Sequence, residues 1–374
     1  MVKDKIAQAL VFCSPARQFE LRRYPLLEPG PGQVGLTLFQ SGICGTDMHF
    51  LHGTLALPPG EIVLGHEFVG RIDTIGAGAD CDAIGQKISC GALAIVCVAI
   101  PCGDCANCRR GETSSCMNFG VTYKKAPADA PHLHGGFAEY HFAPAANIVR
   151  LPAAVDPVAV SAFPCVGPTM MRAAKYSGGF RAGEFVVVQG TGAMGLFAIA
   201  AAAAAGCRVV AVGSMTNNER NDLARAFGVE QIFDYRASRD DRVKAIRELS
   251  GGNGADVVIE TSGTPDSFVE GLDLLRIRGR YLVPGQYSNS GAVAVSPQLI
   301  TFKALQIFGS GQYNLEDVKD YLAFVLTHAR LTELFRRCTA ARFTLDKHAA
   351  AFAAVEAGQA IKAVFINPAD SGAG

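Results

Sequence analysis

Two regimes of hydrophobic patterning divide the chain. Through roughly the first 165 residues the apolar runs are short and are broken by Gly, Pro and Cys. Residues 34–39 and 61–64 read as strands, and Gly-Pro punctuation such as Pro29-Gly30-Pro31-Gly32 separates such pieces. No long helical period appears there, so an irregular, mostly β region is expected. After Cys165 the character changes. Phe185-Val186-Val187-Val188-Gln189 is a short, continuously apolar strand, followed by a glycine turn and an Ala-rich stretch, residues 194–205, that suits a buried helix ended by Gly206. Strands at 208–212, 231–233, 256–260, 280–283 and 305–308, with helices at 219–227 and 239–249 among them, complete an alternation that argues for a parallel, doubly wound sheet. Helices near 315–327 and 345–357 close the chain.

Length and composition narrow this picture. At about 150 residues per domain, 374 residues fit two ordinary domains or one large one. Hydrophobic residues at 49% and charged residues at 18% exclude a disordered chain. Lys+Arg and Asp+Glu both number 34, so no charge surplus draws the protein to nucleic acid or an anionic membrane. Met1-Val2-Lys3-Asp4-Lys5 carries mixed charge and resembles no targeting signal. The apolar runs at 92–100 and 196–205 are far shorter than the ~20 residues of a membrane span. A cytoplasmic protein without nucleic-acid or membrane partners is expected. In that reducing compartment the 12 cysteines lean toward metal and free thiols, not disulfides.

Four of those cysteines, Cys102, Cys105, Cys108 and Cys116, follow a C-x2-C-x2-C-x7-C spacing. Four thiolates within fifteen residues can wrap one tetrahedral Zn2+ with no open position, which is how a structural site is built. An iron–sulfur cluster is the competing reading. Three further groups lie apart in sequence: Cys44 in Gly42-Ile43-Cys44-Gly45-Thr46-Asp47, His66 in Gly65-His66-Glu67, and Cys165 after Phe163-Pro164. A Cys2His set leaves a fourth position open, the pattern of a catalytic zinc. Glu67, beside His66, could orient that metal shell or briefly ligate the metal.

Gly190-Thr191-Gly192-Ala193-Met194-Gly195 is G-x-G-x-x-G between a predicted strand and a predicted helix. The first glycine permits the turn, the second lets backbone approach a pyrophosphate, and the third lets helix pack on strand; Ala193 and Met194 open the helix whose N-terminus faces the anion. The acidic residue expected about 20 positions on, to read the ribose, is missing. Val212 is followed by Gly213 and Ser214, with Arg220 nearby. The cofactor is therefore NAD or NADP, with a lean toward NADP, whose 2′-phosphate Ser214 and Arg220 could bind.

These stretches, with Gly65-His66-Glu67-Phe68-Val69-Gly70 and Gly135-Gly136-Phe137-Ala138-Glu139-Tyr140, resemble the zinc-containing medium-chain alcohol dehydrogenase family over nearly the whole chain. The resemblance implies an α/β protein. A GroES-like, mostly-β catalytic domain would span residues 1–166 and 308–374, with a Rossmann domain inserted at 167–307. It implies two zinc ions per chain: a catalytic one on Cys44, His66 and Cys165, and a structural one on the four-cysteine knuckle. Six cysteines would then remain plain thiols. Thr46 matches the start of a proton relay and His49 its outer end, with the nicotinamide ribose between. Lys362 matches a basic position near the cofactor phosphates. The implied reaction is hydride transfer between an alcohol and NAD(P), the metal lowering the hydroxyl pKa. The implied assembly is a homo-oligomer, dimer or tetramer, acting on a small molecule.

Three departures from the family pattern matter. Gly45 stands where some members carry a cation, residues 86–100 replace a shorter segment, and the loop 117–133 is long. That loop, with His132 and His134 before Gly135, resembles a subgroup that includes dehydrogenases of cyclic secondary alcohols. Leu51, Leu93 and Tyr140 are substrate-pocket candidates by family position. Two other functions compete. A zinc-free quinone or enoyl reductase of the same superfamily would not need Cys44, His66 and Cys165 together. A zinc-ribbon binding module would need more than Arg109 and Arg110 as basic residues around the knuckle.

Overall fold

The computed structural model describes residues 5–118, 120, 121 and 125–367. Residues 1–4, within the segment read for a targeting signal, and 119 and 122–124, within the long loop, lie outside the described residues. The chain divides into two units: Met1–Cys165 with Gln312–Gly374, and Val166–Gly311. The second boundary falls four residues later than the sequence suggested, because the strand Gln306–Gly309 pairs with Leu275–Val283 and so belongs to the inserted unit.

The first unit is built on two sheets. One has the order Gln18–Pro25, Ile6–Cys13, Glu61–Val63. The other, of seven strands, runs Ile148–Arg150, Leu93–Val96, Glu67–Ile75, Gln33–Gly42, Ala363–Ile366, Ala341–Phe343, with Tyr140–Pro144 also pairing on Gln33–Gly42. The C-terminal strand thus completes a sheet begun by the N-terminal half. Its antiparallel register sets Val364 opposite Gly42, while Gly42 lies opposite Glu67. Phe137 packs edge-on against Phe365 at 5.1 Å, fixing the C-terminal strand to the core. The mostly-β region also holds one eight-residue helix, Gly45–His52, which apolar periodicity does not announce. It is set instead by its end: Asp47 Oδ2 accepts the Cys44 N–H at 2.9 Å.

The inserted unit is a six-stranded parallel sheet. Numbering its strands along the chain, their order is 3-2-1-4-5-6: Val229–Asp234, Arg208–Gly213, Phe185–Gln189, Ala255–Glu260, Leu275–Val283, Gln306–Gly309. The order reverses beside Phe185–Gln189, the switch point at which such sheets bind ligands. Val187, Val210, Val212, Val258 and Tyr281 form its core with Ile246 and Leu272 from covering helices. The helix Ala193–Ala204 is buried from Gly195 through Ala202, which small side chains allow. Gly206 ends it at φ +83°: its N–H donates to Ala203 O at 3.0 Å and that of Cys207 to Ala202 O at 3.1 Å, a left-handed cap.

Candidate metal centres and nucleotide site

The first unit gathers Cys44, His66, Glu67 and Cys165, whose ligand atoms all lie within 4.8 Å of one another. Cys44 precedes the helix Gly45–His52, His66 immediately precedes the strand Glu67–Ile75, which Glu67 begins, and Cys165 ends the N-terminal part of the first unit. His66 turns its Nδ1 toward Asp47 Oδ1 at 3.6 Å; Asp47 is fully buried. Asp47 therefore orients both Cys44, through the backbone, and His66, through the ring. Sequence reasoning quoted it in the motif without giving it a role; the hint was an acidic residue three positions after a ligand. The Cys165 side chain and then the charge on His66 hold the Cys44 thiol well below its ordinary value, while Cys165 is raised in turn. Burial opposes a proton on His66, yet Asp47 and Cys44 raise it. Soft sulfur donors with one imidazole, already drawn together in a buried site, fit a zinc ion.

Lys362, expected near the cofactor phosphates, is paired with Glu67. It is 2% exposed, and its Nζ sits 2.5 Å from both carboxylate oxygens of Glu67. The strand register that sets Val364 against Gly42 brings it there. Burial lifts Glu67 to about 7 while the lysine pulls the other way. Thr46 Oγ1 is 4.0 Å from Cys44 Sγ. His49 lies one helical turn further on, its Nδ1 3.0 Å from Thr54 Oγ1, and burial holds it below the ordinary histidine value. Tyr140 is a core residue, not a pocket wall. It packs with Ala7, Val11 and Phe142, and its hydroxyl meets Thr74 Oγ1 at 2.8 Å and Asp73 Oδ2 at 3.2 Å. Leu51 and Leu93 are half-buried.

The knuckle cysteines Cys102, Cys105, Cys108 and Cys116 also converge within 4.8 Å, near the surface. Cys102 and Cys116 sulfurs are 3.5 Å apart and those of Cys105 and Cys116 4.0 Å. A tetrahedron with Zn–S of about 2.3 Å has edges of about 3.8 Å. Backbone N–H groups of Cys108 and Met117 bring Cys105 down to about 6, toward the thiolate a metal requires. None of the twelve cysteines is in a disulfide.

In the inserted unit a cavity of about 910 Å³ is lined by Gly190, Thr191, Gly213, Ser214, Arg220, Tyr235, Ser262 and Thr264 among others. Gly192 caps the helix Ala193–Ala204, on which Met194 and Gly195 follow. Around Gly192 a Cβ would meet nothing within 4 Å, whereas one on Gly195 would lie 2.0 Å from Gly190 O. One glycine thus leaves room for a ligand and the other permits packing, as a dinucleotide turn requires. Arg242 builds the wall: it is paired with buried Glu270, and its Nη1 donates to Tyr235 O at 3.0 Å and Ala237 O at 2.6 Å. Arg220 faces the cavity, and burial lowers it below its usual value. Tyr235, Ser262 and Thr264 were not read from the sequence: the strands they follow were, but only the order of the sheet brings those strand ends to one cavity.

Residues 30–153 match the alcohol dehydrogenase GroES-like domain and residues 193–327 the zinc-binding dehydrogenase domain. The 5-exo-hydroxycamphor dehydrogenase of Pseudomonas putida is 30% identical over 91% of this chain and 93% of its own. The chain belongs to the zinc-containing medium-chain dehydrogenase family. L-threonine 3-dehydrogenase of Pyrococcus abyssi is also 30% identical, over 96% of this chain and 98% of its own. A structure assigned as a zinc-binding dehydrogenase, from Sinorhizobium meliloti 1021 and bound to NADP, superposes with a TM-score of 0.82 at 26% identity. It covers 97% of this chain and 100% of its own. The protein is an oxidoreductase that interconverts an alcohol and its carbonyl compound with NAD(P) and uses zinc. A zinc-free reductase or a binding module is not favoured. No described helix is long and apolar enough to cross a membrane.

Proposed function

We propose that this dehydrogenase acts on secondary alcohols, cyclic ones included, and prefers NADP, with a catalytic zinc on Cys44, His66 and Cys165 and a structural zinc on the four-cysteine knuckle. The observation that carries the reading is the convergence of Cys44, His66 and Cys165 while Glu67, the fourth donor in reach, is held by Lys362. That leaves a three-ligand site with an open position. When bound there, zinc supplies a Lewis acid that lowers the pKa of an alcohol hydroxyl. The protein's own residues do the rest. Asp47, 3.6 Å from His66 Nδ1, would orient the ring so that Nε2 could hold the metal. Thr46, beside Cys44, takes the hydroxyl proton, and His49, three residues on along the same helix face, carries it outward.

Relatives named for 5-exo-hydroxycamphor and for the 3-position of L-threonine, both secondary alcohols, support the substrate class. Ser214 and Arg220 in the cavity wall, no carboxylate directly after Val212, and the NADP-bound structural relative support the cofactor. A homo-oligomer is proposed too: Gln306–Gly309 is an edge strand, with Phe302 74% and Ile307 38% exposed. Cysteines outside any disulfide support the cytosol. The test is an initial-rate screen of primary, secondary and cyclic alcohols with NAD+ and NADP+ in parallel. Fastest turnover of cyclic or other secondary alcohols with NADP+ is expected. Equal or better rates with NAD+ refute the cofactor preference, and primary alcohols as best substrates refute the class.

A further inference from the structure

We infer that the inserted unit carries an oxyanion site at the end of its sheet away from the nucleotide turn, where Arg181 and Arg278 receive a phosphate group. A cavity of about 390 Å³ opens there, lined by four arginines, Arg181, Arg276, Arg278 and Arg280, against one carboxylate, Glu184. Arg276, Arg278 and Arg280 lie in the first six residues of the strand Leu275–Val283, and Glu184 directly precedes Phe185–Gln189. The sheet is parallel, so these positions all fall at its amino ends. Gly190 follows the carboxyl end of Phe185–Gln189, which sets the nucleotide cavity a strand's length away. The two cavities share no lining residue.

Two of the four guanidinium groups are engaged by the protein itself. Arg280, 7% exposed, donates Nη1 to Ser177 O and Gly179 O at 2.6 Å each, and Nη2 to the two Glu184 oxygens at 2.7 and 2.6 Å. Arg276 pairs with Asp256, its Nε 2.6 Å from Oδ1. Those pairs cancel the acidic charge at the cavity. They leave the exposed side chains of Arg181 and Arg278, which have no hydrogen-bond or ion-pair partner among the described residues. Two uncancelled positive charges in one concavity favour an anion, and guanidinium forks match phosphate oxygens in shape as well as charge. The backbone carries the argument further. Between the pairs Ala255–Leu275 and Val257–Arg280 the ladder shifts register, so residues 276–279 bulge from the sheet. Bulges re-aim side chains. Within this one Arg278 has φ +58°, a left-handed conformation that glycine takes freely and arginine does not. No internal hydrogen bond or ion pair of the Arg278 side chain offsets that strain; its place is in the cavity wall.

The test is a phosphorus NMR titration of the whole protein with inorganic phosphate, at low ionic strength and with NADP+ saturating so that the nucleotide cavity is filled. The wild type should bind phosphate saturably. Arg181→Gln and Arg278→Gly should each raise its Kd at least about tenfold, the loss of one charge-assisted hydrogen bond. Arg330→Gln, which removes an exposed charge from the other unit, should leave the Kd unchanged. Without phosphate, Arg278→Gly should have a higher Tm than the wild type, since glycine relieves the left-handed strain. Displacement of phosphate by glycerol 3-phosphate supports a site for phosphate esters, and failure to displace it supports a site for the free ion. Absence of saturable binding in the wild type overturns the inference, as does wild-type affinity in both Arg181→Gln and Arg278→Gly. An equal loss in Arg330→Gln overturns it too, since binding then follows net charge and not this cavity. A lower Tm in Arg278→Gly shows that the arginine serves folding and removes it from the site.

Discussion

The nucleotide turn separates two glycines by function, and the separation is measurable. Gly195 is a packing glycine. A Cβ there would lie 2.0 Å from Gly190 O and 2.8 Å from Gly190 C. Ordinary contacts are about 3.5–4.0 Å, so Gly195→Ala must push the helix Ala193–Ala204 away from the strand end by about 1.5 Å. Overpacking of this kind costs about 1–3 kcal/mol, which lowers Tm by about 3–10 °C for a unit of this size. Gly192 is the glycine we propose for the ligand. Its φ of −71° and ψ of −173° suit any residue, and a Cβ there meets nothing within 4 Å. Gly192→Ala should leave Tm within about 1 °C, yet weaken NADP(H) about tenfold or more, a loss of about 1.4 kcal/mol, because the methyl fills the space a pyrophosphate approaches. Calorimetry reads the first effect. A titration following NADPH fluorescence reads the second, with little protein background since the chain has no Trp. Wild-type affinity in Gly192→Ala, or wild-type Tm in Gly195→Ala, refutes this division of labour.

Other outcomes follow from the same geometry. Cys44→Ser and His66→Ala should abolish turnover while NADPH still binds; activity near wild type in either removes the catalytic-metal assignment. Cys105→Ser should lower Tm and reduce zinc from two to one per chain by elemental analysis, and an unchanged zinc content contradicts a structural site at the knuckle. His49→Gln should keep both zinc ions but alter the pH–rate profile, and an unaltered profile excludes it from the proton path. His141 is 1% exposed, its Nδ1 has no hydrogen-bond partner among the described residues, and burial with nearby His134 drives its value down to about 3. The unfolded chain binds that proton near 6.5, so stability is full above about 6.5 and falls as pH drops toward about 3. His141→Phe should flatten that acid limb by about 1.4 kcal/mol per pH unit in urea titrations, and an unchanged slope refutes a buried neutral imidazole.

What the sequence made legible was what local order encodes. A strand of a parallel sheet, buried on both faces, is a continuous apolar run, so Phe185–Gln189 and Arg208–Gly213 stand out. The knuckle is likewise local, four cysteines inside fifteen residues. The N-terminal hairpin escaped because Gln18–Pro25 reads QFELRRYP, an edge strand with little buried side chain and no apolar run. The helix Pro265–Leu274 escaped because three acidic residues and a glycine break up its apolar positions. The pairing of Lys362 with Glu67 was not legible for a deeper reason. The two are 295 residues apart, and what joins them is the antiparallel register of Ala363–Ile366 on Gln33–Gly42, closed by Phe137 against Phe365. Periodicity tells which face of a strand is buried but not which residue of a distant strand lies opposite. A register slip of one residue would send Lys362 to the other face and leave the buried Glu67 without its lysine partner. The seat of the Glu67 carboxylate beside Cys44, His66 and Cys165 is therefore a property of strand pairing as much as of local sequence.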